Sequence, residues 1–303
     1  MAPRGVARRE AGRFVKRRLV LGVTFAAALP GVALAQAPSD KRVRIVAIGG
    51  AITEVIYALG AEGLLAGVDS TSLYPEAAKA LPQVGYMRAI SAEGVLSLRP
   101  TLVIATTAGG PAASFDQIKA TGVRTLVLPD HYDYDSVVLK IEEIGKTTGR
   151  ETEAAKLIAR GKADMEDLAV KLKTAGARPR VLFLLSVGGG GAPQASGGGT
   201  AADGIIRLSG GVNAIEGYTG YRPLTPEAVI AARPDFIVVT HQTANLVGGA
   251  SAVLERQPAL LQTPAGRGGK ILVFDTGLLL GFGPRTPDAA RQLAMALHPS
   301  LAK

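Results

Sequence analysis

Two segments of this chain repeat one another, and the repeat constrains the fold more than any other feature of the sequence. Residues 91–107 read SAEGVLSLRPTLVIATT, and residues 225–241, at a constant offset of 134 positions, read TPEAVIAARPDFIVVTH. Each copy opens with a hydroxyl residue suited to cap a helix and places an acid in the first turn. An Arg-Pro pair then ends the helix, because a residue before proline avoids the helical region, and an apolar, β-prone run follows. The repeat predicts two copies of one helix-strand unit.

The segments around the repeat continue this alternation along most of the chain. Predicted strands cover 43–48, 64–68, 102–105, 124–128, 181–185 and 271–274, and predicted helices cover 53–59, 114–121, 136–146, 151–174, 201–208 and 287–297. Strands that alternate with helices form open, parallel sheets. We therefore expect an α/β protein with two Rossmann-like lobes, mostly parallel sheets, and a ligand cleft between the lobes.

The longest predicted helix lies between the two similar halves. Its apolar residues recur at helical spacing, and a helix over 151–174 would be about 36 Å long. Such a helix can connect the lobes as a stiff spine, which gives an N-terminal lobe at 36–149, an interlobe helix at 150–176 and a C-terminal lobe at 177–303. The alternative is a surface helix within one lobe.

The first 35 residues have the features of a cleaved export signal. A basic segment precedes an apolar run at 19–34 that contains Pro30, and Ala33-Leu34-Ala35 resembles a cleavage site before Gln36. We expect a periplasmic mature protein, exported by the general secretory route in preference to the twin-arginine route that Arg17-Arg18 leaves open. Seven basic residues and one acid in this segment supply +6 of the formal charge of +9. The remaining +3 is too small to predict a nucleic-acid partner.

Catalytic and metal-binding patterns are missing from the sequence. The chain has no cysteine and three histidines, His131, His241 and His298, and it contains no GxSxG motif. We therefore expect no zinc-type site and no enzyme activity. His241 follows a predicted strand, where α/β sheets place functional groups, so it is a candidate for the cleft. His131 is expected in a solvated turn and His298 on the surface.

A glycine-rich run, GGGGAPQASGGGT at 188–200, follows the first strand of the second half. It lacks both the GxGxxG pattern and the lysine of a phosphate-binding loop. A mobile loop at the edge of the cleft, where the backbone closely approaches a flat ligand, is the preferred interpretation.

Tyr86 is the residue with the most distinctive chemistry. It lies in a loop before the first repeat copy, and Met87 and Arg88 follow it. A loop tyrosine is ordinarily a packing residue, but a phenolate can also ligate ferric iron, and a nearby guanidinium favours the ionised form. Arg88 could supply that charge or pair with an anionic propionate. Tyr221 and Arg222 precede the second repeat copy, so an aromatic-basic pair stands on each side of the expected cleft.

From Arg44 to the C-terminus, the chain resembles the periplasmic substrate-binding proteins of ABC importers, in the helical-spine class that captures haem, siderophores and cobalamin. The resemblance is strongest to the haem-binding members. It rests on the segments TSLYP, LPQVGYMRAISAEGVLSLRPTLVIA, GGGTAADGIIRLSGGVNA, GYRPLTPEAVIAARPD and GFGPR. The GYMR stretch is its most specific part.

The resemblance implies a role for several residues. It makes Tyr86 the axial iron ligand and brings Arg88 to the ligand, with Arg222 and Arg285 as further candidates for propionate contacts. It also assigns Glu93 and Glu227 to permease docking, where two acids in similar settings suit a two-fold permease. Some relatives use a histidine from the second lobe, but Val187 and glycines stand at that point of this chain. The sixth iron position is then empty, filled by water or approached by His241.

The function that the resemblance implies is capture of haem b and its delivery to an importer. The expected partners are the permease dimer with its ATPase in the inner membrane, and an outer-membrane haem receptor system upstream. A ferric siderophore or cobalamin binder of the same class is the first alternative. A two-lobed α/β enzyme is the second.

Overall fold

A computed structural model describes residues 43–176, 178–187 and 192–302 of the 303-residue chain. The predicted export signal, and residues 188–191 of the glycine-rich run, lie outside the described residues. The described part is a two-lobed α/β structure with one sheet in each lobe, as the sequence predicts. Its helices include none that is both long and apolar enough to cross a membrane.

The first lobe contains a sheet of four parallel strands. They are β1 (Ile45–Ile48), β2 (Leu65–Val68), β3 (Leu102–Thr106) and β4 (Arg124–Leu128), in the order β2-β1-β3-β4. Four helices connect or follow these strands: α1 (Gly50–Ala58), α2 (Ala92–Ser97), α3 (Ala112–Ala120) and α4 (Tyr134–Thr148). Because all strands are parallel, the loops after their carboxyl ends meet at one edge of the sheet. The loop that carries Tyr86 lies after β2 in the chain.

The helix α5 (Glu151–Lys173) follows α4 directly and matches the prediction to within one residue. At about 1.5 Å per residue it is about 35 Å long. Gly149, with a φ of 67°, ends α4 in the left-handed conformation that glycine adopts without steric cost. Close contact with the first lobe depends on Gly161, because a Cβ atom there would lie 1.8 Å from the Tyr134 hydroxyl. Helix α5 also packs against the last α-helix of the second lobe, at Thr286–Leu297.

The second lobe has a mixed sheet. Its strands are β5 (Arg180–Ser186), β6 (Gln194–Ser196), β7 (Val212–Asn213), β8 (Tyr221–Pro223), β9 (Phe236–Thr240) and β10 (Ile271–Phe274). The order is β10-β9-β5-β6-β8, and β6 pairs antiparallel with both β5 and β8, while β7 pairs parallel with β5. The helices are α6 (Ala201–Leu208), α7 (Pro226–Ala232), α8 (His241–Val247), α9 (Ala250–Arg256), α10 (Pro264–Arg267), α11 (Thr276–Leu280) and α12 (Thr286–Leu297).

The sequence repeat is also a repeat of local structure. Ser91 accepts a hydrogen bond from the Gly94 amide at the start of α2, and Thr225 accepts one from the Ala228 amide at the start of α7. Arg99 and Arg233, each before a proline, have φ values of 48° and 44°. A positive φ is uncommon for a residue with a side chain, so both copies reverse the chain by the same device before their strand begins.

One apolar core runs through both lobes. It contains Ile52 and Val137 of the first lobe together with Phe183, Ile205 and Leu293 of the second. His298 lies at the end of α12 and is only 5% exposed, and its Nε2 atom has no hydrogen-bond partner. The expectation of a surface position for His298 was therefore wrong. His298 is buried because the end of the chain packs against the second lobe, and the proline next to it in the sequence gives no sign of this packing.

Candidate functional site

The loop that carries Tyr86 is held to the sheet edge on both sides. The Ser70 amide donates to the Gly85 carbonyl at 2.8 Å. The Gly110 amide donates to the Met87 carbonyl at 2.9 Å, and the Ile90 amide donates to the Gly110 carbonyl at the same distance. Tyr86 itself is 49% exposed. The structure thus presents a solvent-accessible phenol on a loop whose backbone is fixed by three hydrogen bonds.

Beneath this loop, the buried carboxylate of Asp69 organises the turns after β1 and β2. It accepts hydrogen bonds from the Gly49 amide at 2.7 Å, the Thr71 amide at 2.8 Å and the Ser72 hydroxyl at 3.1 Å. The Thr71 hydroxyl also donates to it at 2.6 Å and lies 3.8 Å from the sulfur of Met87. A buried carboxylate with this many donors holds its surroundings rigid, and through Met87 it supports the loop of Tyr86.

Arg88 and Tyr221 come from different lobes and lie in the same neighbourhood. Arg88 is exposed and makes no ion pair with another described residue, whereas Tyr221 is partly buried on β8. Burial raises the pKa of the Tyr221 hydroxyl, and the side chain of Thr200 and the amide of Ala202 oppose the rise. The positive charge of Arg88 also opposes the rise in the pKa of Tyr221.

Tyr132, which sequence reasoning did not select, belongs to the same neighbourhood. It lies between β4 and α4, and its ring packs edge-on against Phe282 with centroids 5.4 Å apart. Burial and the nearby charge of Asp130 raise the pKa of Tyr132, and Arg88 again opposes the rise. Its position in an acidic-aromatic turn indicated a solvated segment, and only the tertiary structure brings it to the second lobe.

Arg222 and His241 are exposed on the second lobe but have different surroundings. The Arg222 guanidinium lies over the ring of Tyr218 at 5.2 Å, a cation–π distance, and the Tyr218 hydroxyl donates to the Ala195 carbonyl. His241 is the first residue of α8, directly after Thr240, whose hydroxyl caps that helix. Among the described residues, neither forms a hydrogen bond or ion pair with Tyr86 or Arg88.

Arg285 has a different partner from the one that the sequence suggested. Its Nε and Nη2 atoms donate to the two carboxylate oxygens of Glu54 on α1, at 2.8 and 2.6 Å. Its guanidinium also lies 3.7 Å from the centroid of the Tyr74 ring. Both contacts join the segment before α12 to the first lobe. In this structure the guanidinium of Arg285 is thus occupied by an interlobe ion pair and not by the loop of Tyr86.

A second interlobe contact lies close to the first. Lys140 on α4 is fully buried, forms an ion pair with Asp130, and donates to the Phe282 carbonyl at 3.2 Å. Sequence reasoning missed it, although a signal exists: Val137, Lys140, Ile141 and Ile144 share the apolar face of α4 at helical spacing. A lysine on such a face needs a buried partner, and here that partner is Asp130 in the loop before α4.

Glu93 and Glu227 occupy equivalent places on the two lobes. Each is exposed in the first turn of its short helix, α2 or α7. Its own backbone amide and the Thr225 side chain hold the pKa of Glu227 below the usual value. The two acids are therefore exposed side chains at the same position of two similar helix starts.

A cavity of about 380 Å³ lies away from the Tyr86 loop. It is lined by residues of α1, α5 and the start of α12, among them Tyr57, Arg160 and Asp164, with Tyr74 and Arg285 at one side. Within the described ranges, no group of three or more His, Asp or Glu side chains is placed to hold a metal ion. The loop 84–90, with the exposed side chains of Tyr86 and Arg88, remains the candidate site.

Comparison with known proteins places this architecture in a family. The sequence profile of a family described as periplasmic binding protein matches residues 45–276. Among solved structures, the periplasmic haem-binding protein BhuT in complex with two haems is 39% identical, with a TM-score of 0.80 over 85% of this chain and 98% of that one.

Two curated relatives carry other descriptions. An uncharacterised ABC transporter substrate-binding lipoprotein, YvrC of Bacillus subtilis, is 28% identical over 86% of this chain and 81% of its own length. A vitamin B12-binding protein of Yersinia pestis is 26% identical over 71% of this chain and 75% of its own length. Relatives of this chain thus differ in the ligand that their descriptions name.

Proposed function

Because this chain belongs to the periplasmic binding protein family, we propose that it captures haem and delivers it to an ABC-type haem importer. Haem b is the transported ligand, and the Tyr86 phenolate is its iron ligand. The protein binds and releases its cargo without a chemical step, in keeping with the substrate-binding transport proteins that its profile and structural relative represent.

The observation that carries this proposal is the presentation of Tyr86. Its phenol is 49% exposed on a loop whose backbone is fixed by three hydrogen bonds, with Arg88 two residues further on. A phenolate is a known ligand of ferric haem iron, and a fixed loop lowers the entropy that the ligand group loses on binding. A nearby guanidinium favours the phenolate and can also pair with a propionate. The haem-binding structural neighbour supports the same ligand.

Delivery requires docking to the importer, which we assign to Glu93 and Glu227. One exposed acid on each lobe, in matching backbone settings, suits a permease dimer with two equivalent basic sites. The partners in the inner membrane are then the permease dimer and its ATPase. An outer-membrane haem receptor system supplies the cargo upstream.

The place of action in this proposal is the periplasm. The N-terminal segment 1–35 serves as a cleaved export signal, with the general secretory route favoured over the twin-arginine route. The mature protein then begins at Gln36 and consists of the lobes 36–149 and 177–303 joined by the helical segment 150–176. Expression of the full chain and N-terminal sequencing of the periplasmic fraction tests the cleavage position.

A cobalamin binder is the second candidate, because a vitamin B12-binding protein is among the curated relatives. A ferric siderophore binder belongs to the same class. Both alternatives predict that Tyr86 packs against the ligand or lies beside it. In neither does the Tyr86 oxygen bind iron.

Titration of the purified protein with hemin, followed by its visible spectrum, tests the function. We expect a Soret shift that saturates, and its loss in Tyr86→Ala, whereas the matched control Tyr57→Ala on α1 keeps it. Parallel titrations with cyanocobalamin and a ferric siderophore should give no saturable change. A saturable response to either of these, with none to hemin, would replace haem by that ligand.

A further inference from the structure

The turn at residues 69–72, directly after β2, contacts the loop of Tyr86 through its backbone. Ser70 lies within this turn, and its amide donates a hydrogen bond to the Gly85 carbonyl at 2.8 Å. Gly85 directly precedes Tyr86 in the chain. The position of the turn therefore controls where the backbone enters Tyr86.

The carboxylate of Asp69 fixes the shape of this turn. Asp69 is fully buried, and two of its donors are the amide and the hydroxyl of Thr71, at 2.8 and 2.6 Å. The Ser72 hydroxyl donates to it at 3.1 Å, and the Gly49 amide, just before α1, donates at 2.7 Å. Burying a carboxylate is costly unless donors satisfy its oxygens, and here the donors come from two separate chain segments. The carboxylate therefore joins the turn to the start of α1.

The hydroxyl group of Thr71 extends this connection to the loop of Tyr86. It accepts a hydrogen bond from the Gly50 amide at 3.1 Å, and its oxygen lies 3.8 Å from the sulfur of Met87. Because its single proton is donated to Asp69, the contact with Met87 is one of packing. A Cβ atom at Gly50 would lie 2.7 Å from the Thr71 carbonyl oxygen, so the turn packs closely on α1. Thr71 is thus held between α1 and the side chain that follows Tyr86.

Met87 is fixed through both its backbone and its side chain. Its carbonyl accepts from the Gly110 amide at 2.9 Å, while its sulfur contacts the turn. Tyr86 therefore lies between two residues, Gly85 and Met87, that each contact the same turn. A ligand group whose chain neighbours are fixed loses little freedom on binding, and a small shift of those neighbours redirects its oxygen.

We propose that Asp69 and Thr71 are positioning residues, which place the Tyr86 phenolate for its bond to haem iron and so make the affinity for a porphyrin depend on the metal. This inference rests on the proposed function, because it takes Tyr86 as the iron ligand. It deepens that function by assigning a role to two side chains that act through the neighbours of Tyr86. Groups that orient a metal ligand in this way typically change metal affinity by about ten- to a hundred-fold when they are removed.

The test compares hemin with metal-free protoporphyrin IX, which has the same ring and carboxylates but no iron. Thr71→Val keeps the shape of the side chain and removes its hydroxyl group. We expect this variant to bind hemin about ten-fold more weakly, by the Soret shift, and protoporphyrin IX with unchanged affinity, by fluorescence. Thr71→Ser keeps the hydroxyl and should retain the wild-type ratio of the two affinities. The matched control Thr121→Val, which removes a hydroxyl that donates to the Ile118 carbonyl at the end of α3, should change neither affinity.

Met87→Ala is a second variant, which keeps the hydrogen bonds of Asp69 and removes the side chain that Thr71 contacts. It should cause the same hemin-specific loss, so the proposal can be judged even where Thr71→Val folds poorly. Asp69→Asn is unsuitable for this test, because its amide nitrogen is itself a donor and would face other donors.

The outcomes separate this inference from the function on which it rests. Hemin affinity that is unchanged in either variant overturns the positioning role and leaves haem capture intact. A parallel loss of affinity for hemin and protoporphyrin IX also overturns it, because a purely structural role affects both compounds alike. A wild type without a saturable, Tyr86-dependent response to hemin overturns haem capture itself.

Discussion

Arg285 and Glu54, 231 residues apart in the chain, form a two-point ion pair that joins the lobes, with Nε–Oε2 and Nη2–Oε1 distances of 2.8 and 2.6 Å. Glu54 is 7% exposed, so the pair is largely shielded from water. Lys140 adds a hydrogen bond from the first lobe to the Phe282 carbonyl at 3.2 Å. The GFGPR segment at 281–285 is thus fixed to the first lobe at both ends.

Removing Arg285 should destabilise the protein more than it affects the ligand site. In Arg285→Met the Glu54 carboxylate keeps its burial and loses its partner, so we expect a loss of about 3 kcal/mol in the free energy of unfolding at neutral pH. Urea titration measures it. Arg291→Met, which removes an exposed pair with Asp288, should cost under about 1 kcal/mol. A hemin affinity that falls as steeply in Arg285→Met as in Arg88→Ala would instead make Arg285 a ligand contact.

Titration of the buried Glu54 carboxyl should make the free energy of unfolding depend on pH. Burial raises the pKa of its carboxyl above the usual value, although the hydrogen bond and the charge of Arg285 oppose the rise. A carboxyl with a raised folded pKa stabilises the fold most below its unfolded pKa, and this contribution is lost as pH rises through the folded value. The free energy of unfolding of wild type relative to Glu54→Gln should therefore fall over the pH interval that begins near the ordinary carboxyl pKa and ends above it, where the folded Glu54 has lost its proton. A relative stability that increases over this interval would show that the attraction of Arg285 exceeds the cost of burial.

Gly204 on α6 should be intolerant of a side chain. A Cβ atom there would lie 2.3 Å from the Tyr132 carbonyl and 2.9 Å from the Phe282 ring. We expect Gly204→Ala to lower the free energy of unfolding by about 1 to 3 kcal/mol, because the Tyr132 backbone or the Phe282 ring must shift. Gly63→Ala, where nothing lies within 4 Å, serves as the control and should change stability little. Thermal unfolding of both variants checks this, and a Gly204→Ala variant as stable as Gly63→Ala would show that the Tyr132 segment accommodates the methyl group without cost.

Charge reversal at Glu93 and Glu227 should abolish uptake without affecting capture. Both side chains are exposed, and neither residue is a partner in the three hydrogen bonds that fix the Tyr86 loop. Glu93→Lys with Glu227→Lys should therefore leave hemin affinity within about two-fold, since exposed surface changes are nearly neutral. Haem-dependent growth of a strain with the importer, or transport into vesicles, provides the measurement. Glu166→Lys on the exposed face of α5 is the matched control and should support uptake. Loss of hemin affinity in the double variant would place the two acids in the binding site.

Local signals in the sequence predicted most of the helices and strands. The bounds 124–128, 201–208 and 271–274 agree with β4, α6 and β10, and 151–174 differs from α5 by one residue. These segments have caps, glycine stops or short apolar runs, whose effect depends on neighbours in the chain. The antiparallel strands β6 and β8 were not predicted. They are three residues long and depend on pairing partners elsewhere in the chain.

By itself, the sequence determined the two-lobed α/β class, the spine helix, the repeat that places Glu93 and Glu227 in matching frames, and the prominence of Tyr86 and Arg88. The tertiary structure alone decided that Arg285 binds Glu54, that Lys140 pairs with Asp130 and the Phe282 carbonyl, that His298 is buried, and that Tyr132 packs against Phe282. The physical reason is the range of the interactions. Caps and periodicity act within a few residues, whereas ion pairs and aromatic contacts between lobes depend on how two sheets and α6 pack together.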